Sequence, residues 1–348
     1  MSVQTRAAGT VRARADRRGG NVTGVLIVAV VGPTATGKSD LALDLAQAMQ
    51  ARGQVLPEIV NADAYQLYRR MDIGTAKVPP AERRGIAHHQ VDVIDPHDDA
   101  SVARYQEAAR ADVDAIAGRG SRTIVAGGSG LYVRALLDDM VFPGTDPSVR
   151  SALEERAEAQ GPRALHDELA RLDPGAAATI DPRNTRRVVR ALEVIEITGQ
   201  PYTATLPRQE YVRPAVQIGL DCDRDVLDER VEHRVARMWE LGLVDEVAGL
   251  VDELGTTASR AVGYREVLEM LRGECTAAEA RAAVAANTRR LARKQMGWFG
   301  RDPRVHWLDA RADDLVEQAL AVVAAAETVD LDGARPDDAG PVRRRLGA

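Results

Sequence analysis

The chain has 348 residues, enough for two domains or for one domain with a large insertion, and 45% of them are apolar, so a sizeable core can form. Its two cysteines, Cys222 and Cys275, lie far apart; they exclude a disulfide framework or a CxxC metal site and suit a reducing cytosol. A net charge of −6 excludes a uniformly basic nucleic-acid binder, so any nucleic-acid face must be local.

The basic residues are almost all Arg; the only lysines are Lys38, Lys77 and Lys294. Where Arg serves as the generic cation, a retained Lys marks a need for a compact point charge. Residues 1–22 are rich in Arg and Gly without apolar periodicity and read as a disordered head, or as a start placed too far upstream. The apolar run VLIVAVVG from Val25 is too short to span a membrane, and no signal-peptide core precedes it. It leads into Gly32, Pro33, Thr34, Ala35, Thr36, Gly37, Lys38 and Ser39, the G-x-x-x-x-G-K-S pattern of a phosphate-cradling P-loop. The helical pattern SDLALDLAQAMQARG follows. Backbone N–H groups and the helix N-terminus would hold a diphosphate, Lys38 would neutralise it, and Ser39 can hold Mg²⁺.

Next come the β-like runs PEIVNAD and HHQVDVIDP, a helix through ARYQEAARADVDAIAGRG, and the run TIVAGGSG. Strands alternating with helices predict a parallel sheet with helices on its faces. After PGTDP at Pro143–Pro147 the pattern is helical only, from Ser148 to about Gly199. VQIGLDCD returns to a strand, a helical block covers Val226–Phe299, and VHWLDA reads as a last strand before a disordered tail at 330–348. The fold class is therefore α/β: a P-loop-like parallel sheet flanked by helices (23–145 and 204–315), with an all-helical insertion (146–203).

In such a sheet, ligands sit beyond the carboxyl ends of the strands. Besides the P-loop, two clusters fall there. Asp63, directly after PEIVNA, suits a water-mediated Mg²⁺ ligand or a general base; the bland alternative is an N-cap for AYQLYRR. Gly127-Gly128-Ser129-Gly130 lets backbone approach a ligand, and Ser129 suits either a helix cap or a substrate contact. TIVAGG lacks the acidic residue of a Walker-B strand, which argues against an ordinary NTPase unless Asp63, Asp92 or Asp95 substitutes. Adjacent His88 and His89 point to opposite faces of a strand, so a structural role is favoured over metal binding.

Two basic clusters lie in the helical blocks. In NTRRVVRALEVIEITG, Arg186, Arg187 and Arg190 lie away from most of an apolar stripe of Val188, Val189, Leu192 and Ile195. In NTRRLARKQMGWFGRDPR, Arg289 shares a helix face with Arg293, as Arg290 does with Lys294, and Trp298 and Phe299 follow. Basic residues beside aromatics suit a nucleic-acid backbone with a base to stack; a solvated helix face is the plain alternative.

Taken together, these stretches resemble the tRNA dimethylallyltransferase family (tRNA isopentenyltransferases). The matching segments are GPTATGKS, NADAYQLYRRMDIGTAK, HHQVDVIDP, GGSGLYVRALL, DPRNTRRVVRALEVIEITGQP, AVGYRE and RLARKQMGWF, spanning Gly32 to about Asp309. The resemblance implies transfer of a dimethylallyl group from its diphosphate to N6 of adenosine 37 in tRNAs that read codons beginning with U. It implies that the P-loop holds an isoprenoid diphosphate rather than ATP, with Mg²⁺ as cofactor and the tRNA anticodon stem-loop as partner. Asp63 matches the general base, and Asp63, Ala64, Tyr65 and Gln66 match the segment that meets the flipped adenine. Ser129 matches a substrate-contacting position usually held by Thr, and Arg150 a tRNA-contacting Arg. Arg186, Arg187, Val188, Val189 and Arg190 match a tRNA-binding segment. So do Arg260, Ala261, Val262, Gly263, Tyr264 and Arg265, and Arg293, Lys294, Gln295 and Trp298 within Arg293–Gly300. An Arg of LDERVEHRVARM should meet the diphosphate, Arg234 in preference to Arg230. Ala64 lacks a family hydroxyl, Ser129 lacks the Thr methyl, and Gly297 and Gly300 are more flexible than expected at a helix end.

One complete site per chain points to a monomer in the cytoplasm, with no membrane partner. Rival readings are an isopentenyltransferase acting on free AMP or ADP, a P-loop kinase, and a non-catalytic RNA-binding nucleotide switch. The insertion with its Arg cluster speaks for tRNA, because a free nucleotide needs no such grip.

Overall fold

A computed structural model describes residues 24–205, 209–328 and 346–347. The expected head at 1–22 and nearly all of the expected tail at 330–348 lie outside the described residues. The exceptions are Leu346, which packs beside Cys222 and Leu227, and Gly347, whose N–H lies 3.3 Å from Asp221 Oδ1.

Strand β1 (Ile27–Val31) is buried at every residue, as a central parallel strand covered on both faces must be. Helix α1 (Lys38–Ala51) follows the P-loop, and Gly37 turns the chain into it at φ 88°, a left-handed conformation that favours glycine. Then come β2 (Glu58–Asn61), β3 (His88–His89), α2 (Val102–Gly118), β4 (Thr123–Ala126) and α3 (Gly130–Leu137). The expected run HHQVDVIDP pairs as a strand only at its first two residues. Gln90 and Asp92 take φ 57° and 58°, which ends extended pairing there.

The insertion comprises α4 (Pro147–Gln160), α5 (Pro162–Leu172), α6 (Pro174–Thr179) and α7 (Thr185–Thr198). Pro opens three of these helices, and Asp146, Asp173 and Asn184 cap α4, α6 and α7 through side-chain oxygens. Leu153, Leu165, Leu169, Val188, Val189 and Leu192 give it a core of its own.

The chain returns through β5 (Ala215–Asp221), α8 (Arg224–Glu240), α9 (Leu243–Ala248), α10 (Tyr264–Leu271), α11 (Ala277–Phe299) and β6 (Val305–Asp309). It continues into α12 (Leu315–Thr328), a helix that the sequence reading passed over. These six strands pair in parallel, in the order β3-β2-β4-β1-β5-β6. One face packs on α1 and α12, and the other on α2, α3 and Phe299 of α11. β1, β2 and β4 end together, with Val30 and Asn61 both in register with Ala126, so the loops after them meet at one edge. A third core joins α8, α9 and α10 to the loop after β2 through Tyr68, Met71, Met238, Leu243 and Tyr264.

Candidate active site

The P-loop is tied from several sides. Thr36 Oγ1 donates to the Pro33 carbonyl at 2.8 Å, and the Lys38 ammonium donates to the same oxygen at 2.5 Å. From α11, Gln295 Oε1 accepts the Thr34 N–H at 2.7 Å. From α8, Arg234 Nη1 donates to Thr34 Oγ1 at 2.9 Å, so of the two candidate arginines Arg234 is the one bonded to the loop. Gly37 offers α1 no side-chain cap, which leaves the first-turn N–H groups directed at the cleft.

Asp63 lies across that cleft, and its position is over-determined. Asn61 Oδ1 accepts the Asp63 N–H at 2.9 Å, and Asn61 Nδ2 donates to the carbonyls of Asp63 and Gln90 at 3.0 and 2.9 Å. Asp63 Oδ1 accepts the Tyr65 N–H at 3.0 Å. No helix follows, so the N-cap alternative gives way to a side-chain turn that aims the carboxylate. Ser129 stands at the N-cap of α3 without capping it; its hydroxyl accepts the Ala64 N–H at 3.2 Å. The glycine loop is thereby tied to the Asp63 loop. Gln66 Nε2 donates to the Thr75 and Ala76 carbonyls at 3.0 and 3.3 Å and braces the opposite wall.

Three charges share this space. Burial and the repulsion of Arg234 push the Lys38 ammonium down to about 7, with Asp63 partly offsetting them. Burial raises the Asp63 carboxyl above the usual aspartate range, against the Tyr65 N–H and the charge of Lys38. Lys38, Ser39, Asp40, Asp63, Gly128 and Arg234 line a cleft of about 520 Å³. A second cavity adjoins it through Thr34, Asp63, Thr75, Ala76 and Arg234, and much of its remaining lining is apolar: Met238, Ala261, Val262, Val284 and Leu291. Anion-holding groups, one basic carboxylate and an apolar annex therefore meet. The Ser39 hydroxyl and the carboxylates of Asp40 and Asp63 all line this cleft, hard oxygen donors of the kind that fits Mg²⁺.

The other sequence candidates divide. Arg186 and Arg187 are exposed, as are Arg260, Arg265, Arg293 and Lys294, and Trp298 is 38% exposed above the Gly130 backbone. Burial and Asp63 raise the pKa of the Tyr65 phenol, and the charges of Arg260, Arg186 and Arg265 are near enough to oppose that rise.

Several neighbours carried along with them need correction. Val188 and Val189 are core residues of the insertion, because the stripe they belong to faces inward. Ala261, Gly263 and Tyr264 are buried; the Tyr264 hydroxyl donates to Glu246, and Val262 lines the annex. Gln295 is 7% exposed and holds the P-loop instead of facing solvent. Arg150 and Arg190 both pair with Glu193, a carboxylate with no exposed side-chain surface. Arg190 also donates to the Pro143 and Gly144 carbonyls, so it anchors the insertion to the loop that enters it. In the second basic cluster, Arg289 pairs with Asp228 and Glu232 on α8, and Phe299 is core.

The remaining carboxylates do not replace a Walker-B acid: Asp92 pairs with Lys77 and Asp95 with Arg69. His88 Nδ1 lies 2.9 Å from the Ile86 carbonyl and His89 Nε2 2.7 Å from Glu58, the structural roles expected. Lys77 is buried on the Tyr68 carbonyl, Asp72 and Asp92, and the scarcity of lysine was its one signal. Glu246 was missed altogether. It accepts the N–H groups of Asp72, Ile73 and Gly74 at 2.9, 2.7 and 3.0 Å and so fixes the turn before Thr75.

A protein-family profile described as IPP transferase matches residues 66–302. The tRNA dimethylallyltransferase of Bifidobacterium longum subsp. infantis is 53% identical over 314 residues, covering 90% of this chain and 95% of that one. That of Thermobifida fusca is 57% identical over 303 residues, covering 85% and 94%. Among solved structures, the full-length tRNA isopentenylpyrophosphate transferase of Bacillus halodurans matches with a TM-score of 0.64 at 37% identity, covering 87% of this chain and 97% of that chain.

Proposed function

We propose, since the chain belongs to the IPP transferase family of tRNA dimethylallyltransferases, that its cleft joins dimethylallyl diphosphate to N6 of adenosine 37 in a tRNA anticodon stem-loop. The chain is a prenyl transferase that acts on tRNA. The observation that carries the finer reading is the meeting, in one cleft, of the P-loop with Lys38 and Arg234, the Asp63 carboxylate and an apolar annex.

Adenine N6 is a weak nucleophile because its lone pair is delocalised into the ring, so much of the rate must come from aim. The N6–C1 bond forms as the allylic C1–O bond breaks, and the bonding pair leaves on diphosphate. Lys38, Arg234 and the first-turn N–H groups of α1 receive that developing charge. Bound Mg²⁺, held at the Ser39 hydroxyl, would add to that neutralisation. The N6 proton passes to Asp63, whose raised pKa makes it a readier acceptor than an ordinary aspartate. The adenine must leave its stack to reach the cleft. Arg186, Arg187, Arg260 and Arg265 grip the stem-loop backbone beside Tyr65. One chain carries the whole cleft, consistent with a monomer working in the cytoplasm among its tRNA substrates.

Purified protein with Mg²⁺ and labelled dimethylallyl diphosphate tests this, offered either an anticodon stem-loop carrying A36-A37-A38 or AMP. Label on the stem-loop alone is the expected result. Label on AMP would move the activity to free nucleotides, and ATP turnover without label would return the P-loop to ATP.

A further inference from the structure

The apolar annex has a definite end. Arg234 bonds to the P-loop through Thr34, which places it at the diphosphate end of the substrate under the proposed function, on which this inference rests. Met238 lies four residues further along α8, on the same face and about 6 Å along the axis. That offset matches the reach of one isoprene unit from the diphosphate. Met238 is 9% exposed, whereas Leu241, less than one turn beyond it, is 53% exposed. Past Met238 lies an outer groove lined by the apolar Ile73, Val78, Pro79 and Leu241 together with charged side chains such as Glu82 and Arg237. Ala76, Arg234 and Met238 line both the annex and this groove, so they are the partition between the two. Arg234 is held by Thr34, and Ala76 has no side chain beyond Cβ, which leaves the Met238 thioether as the part of the wall that fills space.

We infer that Met238 sets the length of the isoprenoid that the cleft accepts, closing the annex after one five-carbon unit. A geranyl chain has a second unit that must pass through the Met238 side chain into the outer groove. Met is unbranched and adaptable, so the barrier is its volume, not a rigid shape. Removing that volume joins the annex to the apolar strip of that groove, Ile73, Val78, Pro79 and Leu241, along which the second unit can lie. The chemistry is unchanged: the same C1–O bond breaks and the same N6–C1 bond forms.

The test offers wild type and Met238→Ala dimethylallyl and geranyl diphosphates in competition, with an anticodon stem-loop as acceptor. Five- and ten-carbon products are counted by mass spectrometry. Met238→Ala is expected to raise the ten- to five-carbon ratio by about tenfold or more, the scale on which apolar pockets discriminate chain length. Adding Leu241→Glu puts a charge in the outer groove and should lower that ratio again, whereas Leu241→Glu alone leaves five-carbon transfer at the wild-type level. An unchanged ratio in folded Met238→Ala overturns the inference. Should that variant not fold, binding of the two non-transferring thiolodiphosphates to Met238→Val gives the same ratio without turnover, and no change there overturns it equally. Failure of wild type to transfer even the five-carbon group would instead refute the proposed function.

Discussion

Lys38 is held in a costly state. Its ammonium lies among protein atoms with Arg234 close by, and its pKa falls to about 7. Between about 7 and the ordinary lysine value, the folded protein binds fewer protons than the unfolded chain, so its stability rises with pH across that window. Lys38→Met removes the charge that folding must desolvate. It is expected to raise the melting temperature by a few degrees at pH 7, with the gain shrinking toward pH 10, while diphosphate binding is lost. Thermal unfolding at the two pH values checks this, and a lower melting temperature at pH 7 would contradict it. Under the proposed function, the lysine is thus kept for its ligand and against stability.

The loop from Asp72 to Lys77 forms one wall of the cleft through Thr75 and Ala76. Both of its ends are clamped, by Glu246 on the backbone N–H groups of Asp72, Ile73 and Gly74 and by the buried Lys77 ammonium. A Cβ on Gly74 would clash with Cε2 of Tyr264, and that ring is fully buried with its hydroxyl on Glu246. Gly74→Ala should therefore cost about 1–3 kcal/mol through overpacking, and Glu246→Ala about 2–3 kcal/mol through lost charge-assisted hydrogen bonds. Both should raise KM for the diphosphate as the wall loosens. Urea unfolding and steady-state kinetics read the two effects, and unchanged kinetics in a destabilised variant would separate the clamp from the site. Elements of this kind show how far the sequence could be read. The P-loop and Asp63 were legible because their signals are local: a glycine pattern after a strand, and a carboxylate at a strand end. The clamp was not, because Glu246 reaches Gly74 across 172 residues of sequence. Carrying tRNA contacts over by whole segments also blurred helix faces, so Val188, Val189 and Gln295 were taken along with neighbours that do face solvent.

At the scale of the whole molecule, a net charge of −6 coexists with a local group of arginines around Tyr65. Arg186, Arg260 and Arg265 come from the insertion and the C-terminal helices, yet all act on Tyr65. Arg187→Ala should weaken stem-loop binding and lower the slope of log K against log salt by about one, whereas an unchanged slope would remove Arg187 from the phosphate contacts. The insertion keeps its position partly through Glu193. Burial alone would raise that carboxyl, but Arg190 and Arg150 hold it below the usual glutamate range. Its contribution to stability is therefore present above the unfolded glutamate value and is lost as pH falls below it. Glu193→Gln should abolish that part of the acid dependence and weaken stem-loop binding through a loosened insertion, measured by acid titration of unfolding and by filter binding.

The central claim is that Asp63 is the base at the point where the phosphate cradle and the nucleic-acid mouth meet. Asp63→Asn is the direct test, because the amide keeps an oxygen to accept the Tyr65 N–H and so preserves the turn. Single-turnover transfer and stem-loop affinity should be measured on the same preparation. The account predicts a rate lower by about 10²-fold or more, with the dissociation constant within about threefold of wild type. Equal losses in rate and affinity, or full activity, would contradict it.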